Sequence, residues 1–99
     1  MTGAHCTSRR RVIIVDRFGL HLLAATRLVG LAQSFRSEIA VICRGIRANG
    51  RSTLDLMSLA AGCGEAIDIE AVGSDAREAV AALADRLATG LDDAPMGTA

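Results

Sequence analysis

Lysine, tryptophan and tyrosine are absent from this 99-residue chain, proline occurs once, and aromatic residues make up only 2%. Each shortage excludes something. Phe18 and Phe35 are the only aromatics, so the stacking platforms that single-stranded nucleic acid requires are missing. All eleven cations are arginines, and eleven Asp and Glu balance them to a net charge of zero. That balance argues against a general polyanion binder, and no nucleic-acid partner is expected. No apolar run reaches the roughly eighteen residues of a membrane span. The run Val12-Ile13-Ile14-Val15 follows Arg9-Arg10-Arg11 but stops at Asp16, too soon for the apolar part of an export signal. Cys6, Cys43 and Cys63 form neither a C-x-x-C pair nor a cluster at zinc spacing. Reduced thiols in a cytoplasmic protein are expected, with no metal and no cofactor.

What is present is a patterned apolar composition. Hydrophobic residues reach 51%, mostly Ala, Leu, Val and Ile, enough for one small core. Residues 11–16, 38–43 and 46–49 read as strands from their β-branched content and the turn residues between them. Residues 65–72 alternate, with Ile67, Ile69 and Ala71 facing inward and Ala66, Asp68 and Glu70 facing water. Leu22 to about Ser34 reads as a helix burying Ala24, Leu28, Leu31 and Phe35. A short helix follows Ser52 and ends near Leu59. A last helix over about 76–88 buries Ala76, Val80, Leu83 and Leu87. Ser52 with Asp55, and Asp75 with Glu78, are spaced as cap pairs. The order β-α-β-β-α-β-α predicts a two-layer α+β sandwich, an antiparallel sheet with one face under the helices. Residues 1–9 are expected to be a flexible leader, 10–89 the domain, and 90–99 a flexible tail.

Charge is split along the chain. Residues 1–51 carry nine arginines against two acids, and residues 52–99 two arginines against nine acids. Either the halves neutralise each other in the fold, or a basic face docks an acidic partner.

His21 is the candidate reactive residue. It falls between the first strand and the first helix, at or just before the helix cap. The first amides of a helix lack intrahelical partners and suit an anion. The dipole there favours a neutral, nucleophilic ring. Such a nitrogen can attack a phosphoryl donor and hold the group as phosphohistidine.

From about Arg11 to Leu87 the chain resembles the HPr phosphocarrier family of the bacterial phosphotransferase system. The resemblance rests on Gly19-Leu20-His21, the SFRSEI run at 34–39, NGRS at 49–52 and LMSL at 56–59, in that order. It implies an open-faced β-sandwich, a four-stranded antiparallel sheet covered by three helices. It implies that His21 takes a phosphoryl group on Nδ1 from the phosphoenolpyruvate-dependent first enzyme and passes it to a sugar-specific or regulatory acceptor. The protein would then be a carrier rather than a stand-alone enzyme. Ser52 matches the serine on which an HPr kinase acts in some bacteria; it also suits a plain helix cap. Apolar and basic residues around the histidine and second helix, here Leu20, Met57, Arg27 and Arg51, are expected to dock partners.

One motif departs from the family. The active loop normally reads G-L-H-x-R-P, whereas Leu23 and Ala24 stand where arginine and proline are expected. A charge-assisted hydrogen bond contributes about 1.5–3 kcal/mol, so its loss slows transfer by about one to two orders of magnitude. Arg17, four residues before His21, is the nearer substitute anion contact; Arg27, six residues after it, lies beyond the first helical turn. The alternative reading is a regulatory or interaction protein on the same fold that has lost efficient transfer.

Overall fold

The computed structural model describes residues 6–90. The elements run β1 (Cys6–Ile13), α1 (Leu22–Ala32), β2 (Glu38–Cys43), β3 (Ile46–Asn49), α2 (Thr53–Ser58), β4 (Ala66–Gly73) and α3 (Ala76–Thr89). The four strands form one antiparallel sheet in the order β1-β4-β2-β3. This is the open-faced α+β sandwich that the sequence implies. Ile67, Ile69 and Ala71 of β4 are buried with Ile39 and Val41 of β2, against Leu28 of α1, Leu56 of α2 and Val80, Leu83 and Leu87 of α3. In α1 the buried stripe is Ala24, Ala25, Leu28, Val29 and Ala32. Leu31 and Phe35 are only partly buried; Phe35 falls outside the helix, which ends at Ala32 before the chain turns through 33–37.

The first strand corrects two boundaries. It begins at Cys6, so residues 6–9 belong to the sheet rather than to a leader, and it ends at Ile13 rather than Asp16. Residues 1–5 of the expected leader and 91–99 of the expected tail lie outside the described residues. The segment 6–10 carries no apolar alternation, yet it is paired along its whole length with β4. Charge complementarity supports the pairing. Arg9 lies opposite Glu70, and Arg11 opposite Asp68. Arg9 donates to Asp68 at 2.9 Å, and Arg11 Nε to Asp68 at 3.0 Å. From β3, Arg47 reaches Glu70 at 2.6 Å. The basic first half and acidic second half therefore meet on the outer face of the sheet. That favours internal neutralisation for these arginines over a free basic face.

The start of α3 also differs from expectation. Asp75 occupies the N-cap position but makes no side-chain cap hydrogen bond. Its carboxylate accepts instead from the amides of Arg36 and Ser37, each at 2.9 Å, and from the Ser37 hydroxyl at 2.5 Å. It latches the α1–β2 connection to the β4–α3 turn. The Ser37 hydroxyl first, then the Arg36 amide, hold this carboxyl below its ordinary value. Arg11 and then Arg9 do the same to Asp68. Both folded-state values are lowered, so both groups stabilise the fold fully above the ordinary carboxylate value and lose that contribution as pH falls from it through the lowered folded-state values. The thermal midpoint should be nearly flat from neutral to about pH 5 and fall below about pH 4. Asp75→Asn should lower the midpoint at pH 7 and flatten that acid fall. Parallel pH curves for the two proteins would contradict the latch.

Candidate functional site

Between β1 and α1 the chain must reverse direction within a few residues. Asp16, buried at the base of the loop, accepts the Gly19 amide on its main-chain carbonyl at 2.9 Å. Gly19 adopts φ +69, a left-handed conformation that favours glycine. A β-carbon there would stand 2.3 Å from the Ala61 carbonyl oxygen and 2.8 Å from Gly62 Cα. The loop thus lies directly on the 60–64 segment, and the Leu20 amide donates to the Ala61 carbonyl at 2.9 Å. The underlying segment is braced in turn. Glu65 accepts from the Gly62 amide at 2.7 Å and pairs with Arg44 at 2.6 Å. These contacts, the amide first, lower the Glu65 carboxyl below its ordinary value.

His21 follows as the N-cap of α1, with φ −84 and ψ −176, and its carbonyl accepts the Ala25 amide at 2.8 Å. Its Nδ1 accepts the Leu23 amide at 3.2 Å. The imidazole does what a serine or aspartate oxygen does at other N-caps. In the neutral ring this puts the lone pair on Nδ1 and the proton on Nε2. His21 is half-buried. Leu22 and Leu23 turn outward, 60% and 44% exposed, and do not pack over the ring as core residues. The Phe18 ring stands edge-to-face to the imidazole, with centroids 5.8 Å apart and planes at 80°. The Arg17 guanidinium carbon lies 5.4 Å from the centre of the Phe18 ring. Arg17, Phe18 and His21 therefore come together in one cluster.

Several expected contacts go elsewhere. Leu20 is 4% exposed and belongs to the core, because the left-handed turn at Gly19 points it inward; it is not a docking residue. Arg51 is not at the rim of the histidine either. Its guanidinium donates to the Phe35 carbonyl and, at 3.4 Å, to the Ala32 carbonyl, satisfying the C-terminal end of α1. Met57 is half-buried and packs on the core. The exposed apolar residue of α2 is Leu54, at 77%. Arg27 sits half-buried on α1, six residues and about 9 Å along the axis from the cap. Ser52 is the N-cap of α2, its hydroxyl accepting the Asp55 amide at 3.2 Å. Asp55 reaches the Asn49 amide at 3.3 Å rather than completing a box with Ser52. Ser52→Ala should therefore cost about 1 kcal/mol in chemical denaturation, with the slope unchanged. Stability equal to wild type would show that the cap carries no net weight.

Sequence reasoning missed Phe18, and among the apolar residues of the second helix it favoured Met57 over Leu54. The available signal for Phe18 was an aromatic residue placed in a tight loop before Gly19, where the core cannot receive it. Among the described residues, no group of three His, Cys, Asp or Glu side chains is placed to hold a metal ion, and no helix is long and apolar enough to cross a membrane.

The family model for the PTS HPr component phosphorylation site matches residues 8–89. The chain belongs to the HPr family. Phosphocarrier protein HPr of Neisseria meningitidis is 38% identical over 77 residues, which is 78% of this chain and 86% of that protein. The crystal structure of a phosphocarrier protein HPr from Bacillus anthracis is 36% identical, covers 81% of this chain and 95% of its own, and superimposes with a TM-score of 0.77. The solution structure of Crh, the Bacillus subtilis catabolite repression HPr, is 30% identical over 81% of this chain and 95% of its own, with a TM-score of 0.62. Members of the HPr family are carrier proteins rather than enzymes.

Proposed function

We propose that this HPr-family protein carries a phosphoryl group on His21 Nδ1. The observation that supports it most is the half-buried imidazole at the N-cap of α1, with Nδ1 turned toward the Leu23 amide. In the step envisaged, the Nδ1 lone pair attacks phosphorus while the bond from phosphorus to the donor's leaving atom breaks. That atom departs with its electron pair, and Nε2 keeps its proton. The Leu23 amide then turns from Nδ1 to a phosphoryl oxygen. The first turn of the helix offers the incoming negative charge its remaining amides and its dipole. The return step is the same displacement with the acceptor as nucleophile. Arg17 is the cation nearest in sequence that could approach the phosphoryl oxygens.

The partners of this reading are the phosphoenolpyruvate-dependent first enzyme and a downstream sugar-specific or regulatory acceptor, in the cytoplasm. A kinase acting on Ser52 would be a third partner, its phosphate falling at the start of α2. A second reading is a regulatory protein without efficient transfer. It is favoured by Leu23, an exposed leucine where the family's loop has arginine, and by the likeness to the catabolite repression HPr.

Incubation with a first enzyme and radiolabelled phosphoenolpyruvate separates the two. The carrier reading expects acid-labile label on wild type and on Ser52→Ala, and none on His21→Ala. Unlabelled wild type, beside a family member that labels normally, favours the regulatory reading.

A further inference from the structure

We infer that Phe18 is a positioning residue for the His21 imidazole, an inference that rests on His21 being the phosphoryl acceptor. Phe18 is 70% exposed, although burying a phenyl ring is one of the largest single gains an apolar side chain offers. The Gly19 turn holds it out of the core and against the histidine. Its ring contacts the imidazole at a centroid separation of 5.8 Å and an interplanar angle of 80°, a favoured aromatic geometry. A histidine ring can rotate by half a turn about its Cβ–Cγ bond. In one position Nδ1 meets the Leu23 amide; in the other a ring carbon does. Only the first aims the reactive nitrogen at the start of α1. The edge-to-face contact holds the plane of the ring, which both positions share, and the Nδ1 hydrogen bond selects between them, so a ring freed from Phe18 holds that hydrogen bond less well.

Phe18 is also where the Arg17 guanidinium rests, 5.4 Å from the ring centre and within cation–π range. One aromatic side chain thus orients the nucleophile and keeps a cation at the edge of the site. Leu23 supplies no charge at the position where the family's loop carries its arginine. Because Phe18 is mostly in solvent, removing it leaves no core cavity, and its effect can be separated from folding.

The test compares Phe18→Ala, Phe18→Leu and Phe18→Tyr with wild type. The readouts are steady-state phosphorylation by a first enzyme and the ring-nitrogen NMR shifts of His21. Phe18→Ala and Phe18→Leu should keep the thermal midpoint and KM while kcat falls about fivefold, which is about 1 kcal/mol. Phe18→Tyr should restore kcat. In the two aliphatic variants the His21 nitrogens and the Leu23 amide should shift toward averaged values, and in Phe18→Tyr they should not. A rise in KM with kcat unchanged would make Phe18 a partner contact and overturn the inference, as would no change in either. If wild type accepts no phosphoryl group, the carrier reading fails separately. The NMR comparison then decides the positioning role: unchanged His21 and Leu23 signals in Phe18→Ala overturn it, and averaged signals restored by Phe18→Tyr uphold it.

Discussion

Gly19→Ala should lower the thermal midpoint by about 10 °C or more and cut phosphoryl acceptance more than any other loop substitution that leaves His21 in place. The new methyl carbon would lie 2.3 Å from the Ala61 carbonyl oxygen, an approach no real contact permits, and the clash is with backbone, which cannot rotate away. The φ of +69 adds its own penalty for a side chain. Left-handed strain of about 1–2 kcal/mol and overpacking of about 1–3 kcal/mol together give roughly 2–5 kcal/mol. In a domain of this size, at about 4–8 °C per kcal/mol, that corresponds to a loss of about 8 °C at the least and about 10 °C or more over most of the range. Relief requires the loop to lift from the 60–64 segment, which breaks the Leu20–Ala61 hydrogen bond and carries His21 away from the start of α1. Calorimetry reads the first effect, and transfer at a temperature where the variant is folded reads the second. A variant with wild-type midpoint and wild-type transfer would show that the loop is not held as described.

Leu23→Arg should speed transfer by about tenfold to a hundredfold. Residue 23 donates its amide to His21 Nδ1, and its side chain is 44% exposed beside the ring. A guanidinium there is within reach of a phosphoryl group on Nδ1 without disturbing the core. A charge-assisted contact made mainly in the transition state, of about 1.5–3 kcal/mol, gives the stated range. The cation sits unfavourably at a helix N-terminus when no phosphate is present, at a cost of about 0.3–1 kcal/mol. The variant should therefore be slightly less stable yet faster. Rapid-quench measurement of the transfer rate checks this, and an unchanged rate would show that the missing arginine is not what limits the protein. Ala24 is different. It is fully buried, so the position of the family's proline is here a packing site.

The legible parts of this protein are those set by local pattern. The alternation of Ile67, Asp68, Ile69 and Glu70 assigns both faces of β4, because a strand side-chain period of two leaves one solution. The α3 stripe of Ala76, Val80, Leu83 and Leu87 is equally local, and all four are buried. His21 is legible as a helix cap because a cap is defined by its neighbours in sequence. What depended on distant partners was not legible. Residues 6–10 form strand because Asp68 and Glu70 lie across from Arg9 and Arg11, and nothing within CTSRR signals it. Asp75 leaves its own helix for Ser37 and Arg36, and Arg51 leaves the docking rim for the end of α1. Polar side chains choose such partners through the fold, so sequence spacing misassigns them. Leu20 leaves the docking role expected of it, and Phe18, which was assigned none, joins the site for one reason: the left-handed turn at Gly19 sends the leucine inward and leaves the phenylalanine beside the histidine.

Phosphorus–nitrogen correlation NMR on the protein after exposure to a first enzyme and phosphoenolpyruvate tests the phosphohistidine directly. One phosphorus signal coupled to His21 Nδ1, with the Leu23 amide moving as it exchanges a ring nitrogen for a phosphoryl oxygen, is the predicted result. Phosphorus on Nε2 or on another residue, or a Leu23 amide that does not respond, would contradict a carrier built on the open end of α1.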